Sequence, residues 1–144
     1  MNHQDTIMLL KECDEGIQMG ILSIEEMIEE IKDHQLLEIL SQSIQKHKNL
    51  QEEIEKQLHV LHQSTQQPQP LAKTMSWLHT NVKLMMNDSD SKIAEMVIDG
   101  CDMGIKSLHR YMNQYQNAVS SVKETVLKLI QLERELTEKL YVFL

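Results

Sequence analysis

Four polar residues occupy positions from which a helical protein could hold a metal ion. Asp14, His47 and Glu133 stand where apolar residues are expected in three periodic runs, and Asp102 follows Cys101 at the edge of a fourth. Carboxylate oxygens and an imidazole nitrogen that project into a helical bundle are ligands that suit iron or manganese. These four residues are therefore the candidate metal ligands, with iron or manganese as the candidate cofactor.

The same four residues also have a purely structural interpretation. Isolated polar side chains in a helical core hydrogen-bond to one another or to water, and they thereby fix the register of the helices. This interpretation needs no cofactor and no catalytic residue. It is the one we favour, with metal binding as the alternative.

Signatures of common enzyme classes are absent from the sequence. It contains no glycine-rich phosphate loop and no Cys-x-x-Cys, Gly-x-Ser-x-Gly or His-Glu-x-x-His motif. Cys13 and Cys101 lie in mid-helix among apolar residues, where a thiol is expected to be buried and poorly nucleophilic. A catalytic role is therefore not expected, and reduced thiols fit a cytoplasmic protein.

Apolar residues at helical spacing predict an all-α protein, and no segment alternates with the period of a β-strand. The long helices are predicted over about 4–32, 34–64, 90–117 and 120–144, and a shorter one over about 71–86. Asp33 is a suitable N-cap for the second helix, and Ser120 or Ser121 for the last. We expect one domain, residues 1–144, with two hairpins in a four-helix bundle. The shorter helix is expected to cross between the hairpins, so that the third long helix runs parallel to the second.

Two similar pentapeptides indicate that the hairpins are duplicated: CDEGI at residues 13–17 and CDMGI at residues 101–105. The four glycines of the chain lie in the same two helices, at residues 16, 20, 100 and 104. Each glycine costs about 1 kcal/mol of helix propensity relative to alanine, which we expect to be offset by close packing of the two helices. Alternatively, the glycines make room for a small ligand, and the protein is a carrier.

In its two similar hairpins, its crossover segment and the carboxylates of Asp14 and Asp102, the chain resembles the ferritin-like superfamily. The resemblance implies a helical bundle with a dimetal centre. The Glu-x-x-His element of that superfamily is missing, however, because Ile44 stands three residues before His47 and Leu136 three residues after Glu133. Iron oxidation or storage is therefore not expected, and any metal would bind at a degenerate site.

Charge and apolar surface bear on possible partners. The formal net charge is −8, without a basic run, so nucleic acid and anionic membranes are poor partners. No apolar run is long enough to span a bilayer. Leu127, Ile130 and Leu132 add apolar surface beside the main stripe of the last helix. A dimer contact or the docking of the shorter helix, 71–86, would cover this surface. We therefore predict a cytoplasmic protein with a structural or protein-interaction role, and self-association as a dimer.

Overall fold

The amphipathic segments of the sequence fold into four long helices in the part of the chain that the structure, a computed structural model, describes, residues 3–63 and 89–144. These helices are α1 (His3–Met27), α2 (His34–Val60), α3 (Ser89–Gln114) and α4 (Ser120–Leu140). Short 3-10 turns follow α1 at Ile28–Glu30 and α4 at Tyr141–Phe143. The described residues contain no strand, which confirms the predicted all-α four-helix class. The predicted crossover helix, 71–86, lies outside the described residues.

The helix starts were predicted more closely than the helix ends. Asp33 is the N-cap of α2, as predicted, and its carboxylate accepts hydrogen bonds from the backbone N–H groups of Gln35 and Leu36 at 2.8 and 3.0 Å. The predicted serine cap of α4 is wrong. Val119 holds the capping position without a side-chain bond, and its own N–H donates to Thr6 Oγ1 at 3.0 Å. The predicted ends of α1 and α4 are late because apolar periodicity continues into the 3-10 turns that follow them.

The helices form two antiparallel hairpins, α1 with α2 and α3 with α4, and the hairpins pack through the α1–α3 and α2–α4 pairs. On α2, His47 contacts Glu133 and the later residue Gln57 contacts Thr125, so α2 and α4 are antiparallel. All four neighbouring pairs therefore run in opposite directions. The diagonal helices α2 and α3 are parallel, as predicted.

Carboxylates near the start of one hairpin bind the turn of the other at both ends of the bundle. Asp90 accepts hydrogen bonds from the backbone N–H groups of Lys32 and Asp33 at 2.8 and 3.0 Å. At the opposite end, Asp5 accepts one from the N–H of Asn117 at 3.0 Å. Because of these contacts, α2 ends and α3 begins at opposite ends of the bundle.

The prediction that the four glycines bring α1 and α3 into close contact is wrong. The two helices are neighbours, but a Cβ atom built at Gly16, Gly20, Gly100 or Gly104 would meet no heavy atom of the described chain within 4 Å outside its own helical surroundings. Gly16 and Gly100 are exposed. The glycines therefore flank the seam between the helices, and packing among the described residues does not account for them.

Candidate functional site

The centre of the bundle contains a histidine with both ring nitrogens facing oxygen atoms. His47 lies in the middle of α2 and its side chain is 2% exposed. Its Nδ1 atom is 2.7 Å from the backbone carbonyl oxygen of Ser43, one turn earlier, and its Nε2 atom is 2.9 Å from Oε1 of Glu133 on α4. A carbonyl oxygen only accepts hydrogen bonds, so Nδ1 carries a proton and donates it to this bond.

The Glu133 carboxylate favours a second proton on the imidazole, at Nε2. Burial by itself lowers the pKa of His47, but the hydrogen bond to Glu133, the negative charge of Glu133 and the Ser43 carbonyl together outweigh burial and raise it. The pair is therefore an imidazolium and a carboxylate up to a higher pH than for a free histidine. Glu133 has a side chain that is 16% exposed, so its carboxylate retains some access to water.

A buried thiol completes the polar cluster around Glu133. Burial and then the negative charge of Glu133 raise the pKa of Cys101, which also lies beside the Thr137 hydroxyl. Thr137 donates a hydrogen bond to the backbone carbonyl of Glu133 at 2.8 Å. Burial likewise raises the pKa of Cys13, to about 12. Both cysteines are buried and free, and at neutral pH neither is the thiolate that nucleophilic chemistry requires.

Asp14 is buried on the inner side of α1, apart from the His47–Glu133 pair. Its side chain is 2% exposed, and Oδ2 accepts a hydrogen bond from Gln18 Nε2 at 2.7 Å. Oδ1 has no hydrogen-bond partner among the described residues. Burial is the largest cause that raises the pKa of Asp14, and the charges of Glu55 and Glu15 raise it further, whereas hydrogen bonding with the Gln18 and Gln51 side chains lowers it. A charged Asp14 is therefore costly in the folded state.

Asp102 lies on the outer surface of the bundle. It is exposed and lines an open groove of about 350 Å³ between α3 and α4, together with Ile105, Arg134, Thr137, Glu138 and Tyr141. Of the four candidate ligands, the structure brings His47 and Glu133 into contact and does not bring Asp14 or Asp102 to them. Within residues 3–63 and 89–144, no three His, Cys, Asp or Glu side chains are grouped closely enough to hold a metal ion.

The residues that support the His47–Glu133 pair were not among the predicted site residues. Ser43 precedes His47 by four residues and Thr137 follows Glu133 by four, so each lies one helical turn from the residue it supports. The Ser43 hydroxyl also lies 3.3 Å from His47 Nδ1, so a small hydroxyl residue one turn from a polar core residue is a sequence pattern that could have indicated this support. The proximity of Cys101 to Glu133 depends on how α3 and α4 align, which local spacing does not determine.

Comparisons with known proteins identify a family. No curated protein and no solved structure matches the chain. Across the described residues, no helix is long and apolar enough to cross a membrane. A family model described as "Domain of unknown function (DUF2383)" matches residues 5–114, which include almost all of α1 together with α2 and α3, and therefore His47 but not Glu133. Because the match covers most of its length, the chain belongs to the DUF2383 family.

Proposed function

We propose that this chain is a noncatalytic helical-bundle protein that acts through protein–protein interaction, with a second copy of itself as the partner. The observation that carries the proposal is the exposure of large apolar side chains on its helices and C-terminal turn. These residues are Val60, Met103, Leu127, Tyr141, Val142 and Leu144. When a partner buries exposed apolar surface, the complex is stabilised by about 25 cal/mol of free energy per Å² buried.

The polar groups inside the bundle support a noncatalytic role. The two ring nitrogens of His47 are directed at Ser43 and Glu133, and burial favours the protonated thiols of Cys13 and Cys101. A general base or nucleophile has to present a reactive atom to its substrate. These buried groups present none, whereas the apolar side chains face outward.

We further propose that the fold is a ferritin-like bundle built by duplication. Antiparallel neighbours and parallel diagonal helices support the ferritin-like arrangement. Duplication is supported by the similar pentapeptides CDEGI, residues 13–17 of α1, and CDMGI, residues 101–105 of α3. The corresponding contacts of Asp5 and Asp90 with the turn of the other hairpin support it as well. The free, buried thiols are compatible with the cytoplasm as the compartment.

Metal binding is the alternative function, and one observation favours it. The unpartnered Oδ1 of Asp14 is a buried anionic oxygen that iron or manganese could neutralise. Asp102 would not take part, because it lies on the outer surface.

Sedimentation velocity of the full chain tests the interaction proposal. We expect the sedimenting mass to rise from that of one 16.8 kDa chain to that of two as the protein concentration increases through the micromolar range. A single chain at every concentration would contradict self-association.

A further inference from the structure

The outer seam between α3 and α4 forms a groove with charged and aromatic walls. Its lining includes Ile105, which is half-buried, and Thr137, which is buried. Asp102, Arg134 and Glu138 are exposed along its sides. The groove therefore presents one guanidinium and two carboxylates to the outside, beside the side chains of Ile105 and Thr137.

These charged groups have no partners within the chain as described. Arg134 and Glu138 are one turn apart on α4, a spacing at which opposite charges commonly pair. Nevertheless, neither of them nor Asp102 forms an ion pair with another described residue, whereas Glu53 and Lys128, on the neighbouring α2–α4 seam, pair at 3.2 Å. Among the described residues, the hydrogen-bonding capacity of these three side chains is therefore unused.

Apolar residues flank the charged pair on the same face of α4. Leu127 lies about two turns before Arg134, and Tyr141 about two turns after it. Their side chains are 52% and 54% exposed, and the exposed Val142 follows. Along this face, the order is therefore apolar, positive, negative and apolar.

We propose that a second copy of this chain docks on this α3–α4 surface, related to the first by a twofold axis. A twofold interface brings the same patch of both copies together with the chain directions reversed. With the axis midway between Arg134 and Glu138, Arg134 of each copy faces Glu138 of the other, and Leu127 of each copy lies towards the C-terminal turn of the other, where Val142 and Leu144 are exposed. The charge pattern of the face is complementary to itself in this orientation.

The Arg134–Glu138 pattern of this surface offsets part of the repulsion between two copies of the chain. Two copies that each carry a formal charge of −8 repel one another. A positive group in each copy that meets a carboxylate of the other replaces part of this repulsion by attraction. A partner of a single charge sign could satisfy only Arg134 or only the carboxylates. A second copy supplies both a carboxylate for Arg134 and a guanidinium for Glu138.

Charge reversal tests the surface, and this inference rests on the proposed self-association. In sedimentation velocity, Arg134→Glu and Glu138→Arg are each expected to raise the dimer dissociation constant by about tenfold or more, because like charges then face each other. The double variant, which carries both changes, restores opposite charges across the axis. Its dissociation constant is expected to return to within about threefold of the unmodified protein.

Lys48→Glu and Glu52→Arg are the matched controls. These exposed residues of α2 have the same spacing and the same signs of charge as Arg134 and Glu138, so their reversal changes the net charge equally. They are expected to leave the dimer unchanged, and circular dichroism checks that each variant keeps its helices. Docking on this surface would be contradicted if the chain dimerises while the single reversals at 134 and 138 act like the controls, or while the double variant keeps a raised dissociation constant. Either result would leave the proposed self-association intact. A chain that stays monomeric overturns both.

Discussion

His47 Nε2 lies 2.9 Å from Glu133 Oε1 and thereby joins the α1–α2 hairpin to the α3–α4 hairpin inside the bundle. The two residues differ in their access to water. The His47 side chain is 2% exposed and the Glu133 side chain 16%. Loss of the pair should therefore have different consequences depending on which residue is removed.

Glu133→Leu is expected to destabilise the protein more than His47→Leu. It leaves a buried imidazole without its partner, and breaking a buried pair in this way costs about 3 kcal/mol. After His47→Leu, the remaining carboxylate can turn towards water, so we expect a loss of about 1 kcal/mol. Urea unfolding measures both. Glu53→Leu, which breaks the exposed pair with Lys128, is the control and should cost less than about 1 kcal/mol. Equal losses in the two core variants would contradict the unequal access to water.

Stability should fall as the pH rises above neutrality. A group with a raised folded-state pKa stabilises the fold fully below its unfolded pKa, about 6.5 for histidine, and that stabilisation is lost as the pH passes through the folded pKa. The pKa of His47 is raised. Between about pH 6.5 and 8, the free energy of unfolding should therefore decrease relative to His47→Gln. The window ends there because unfolded cysteines begin to ionise near pH 8.5.

Glu133→Gln is the informative companion variant for the pH experiment. Without the carboxylate, burial becomes the dominant influence and should lower the pKa of His47 below its ordinary value. Stability should then increase with pH as the solution passes through the pKa of the unfolded histidine. The same downward slope in Glu133→Gln and in the unmodified protein would show that the carboxylate does not control this proton.

Asp14→Asn is expected to stabilise the bundle at pH 7 by roughly 1 kcal/mol, because it removes a buried charge that has an unpartnered oxygen. Since the pKa of Asp14 is raised, this advantage should shrink as the pH falls and the native carboxyl becomes protonated. Thermal melts at pH 7 and at lower pH measure the difference. A destabilised variant at pH 7 would indicate that the charged form has a partner in solution.

Manganese or ferrous ion is expected to leave the melting temperature unchanged if the polar residues only support the fold. A ligand that binds the folded state alone would raise it by mass action. The metal-binding alternative would gain support if Mn²⁺ raised the melting temperature by several degrees and Asp14→Asn abolished the increase.

Gly16→Ala and Gly100→Ala should each stabilise the protein by about 0.5–1 kcal/mol. Both glycines are exposed, and an added Cβ meets no described atom outside the surrounding helix. The gain in helix propensity is then not opposed by steric strain. Gly16→Leu should also be tolerated, and it is the sharper test. A loss of stability in the chemical denaturation of these variants would mean that something packs against this side of the bundle.

Local sequence chemistry predicts the elements of this fold well, but it does not predict which side chains meet. Periodicity identified the four helices, and Asp33 was recognisable as a cap because its carboxylate bonds only to neighbouring N–H groups. The candidate site depended on contacts between helices. Spacing assigns Asp14 to an inner face and Asp102 to an edge, but the axial position of one helix against the next arises from packing along the whole bundle. For that reason, Glu133 meets His47 and Asp14 does not.

The glycines at the α1–α3 seam likewise show that spacing within a helix does not predict contacts between helices. A Gly-x-x-x-Gly pattern places both residues on one side of a helix. Whether another helix closes against that side depends on the rotation of both helices about their axes. In this bundle, Leu9, Cys13 and Ile17 take the buried positions of α1, while Gly16 lies outside them.

The contacts of Asp5 and Asp90 with opposite turns couple parts of the chain that are far apart in sequence. Asp5 and Asn117 are separated by 112 positions, and Asp90 and Lys32 by 58. Neither turn can retain these amide bonds once the other hairpin has moved away. Hydrogen exchange at Asn117 should therefore report the detachment of the first turn of α1, and exchange at Lys32 the detachment of α3. At each end of the bundle, the turn of one hairpin and the helix start of the other are therefore expected to separate together, in a single local opening step.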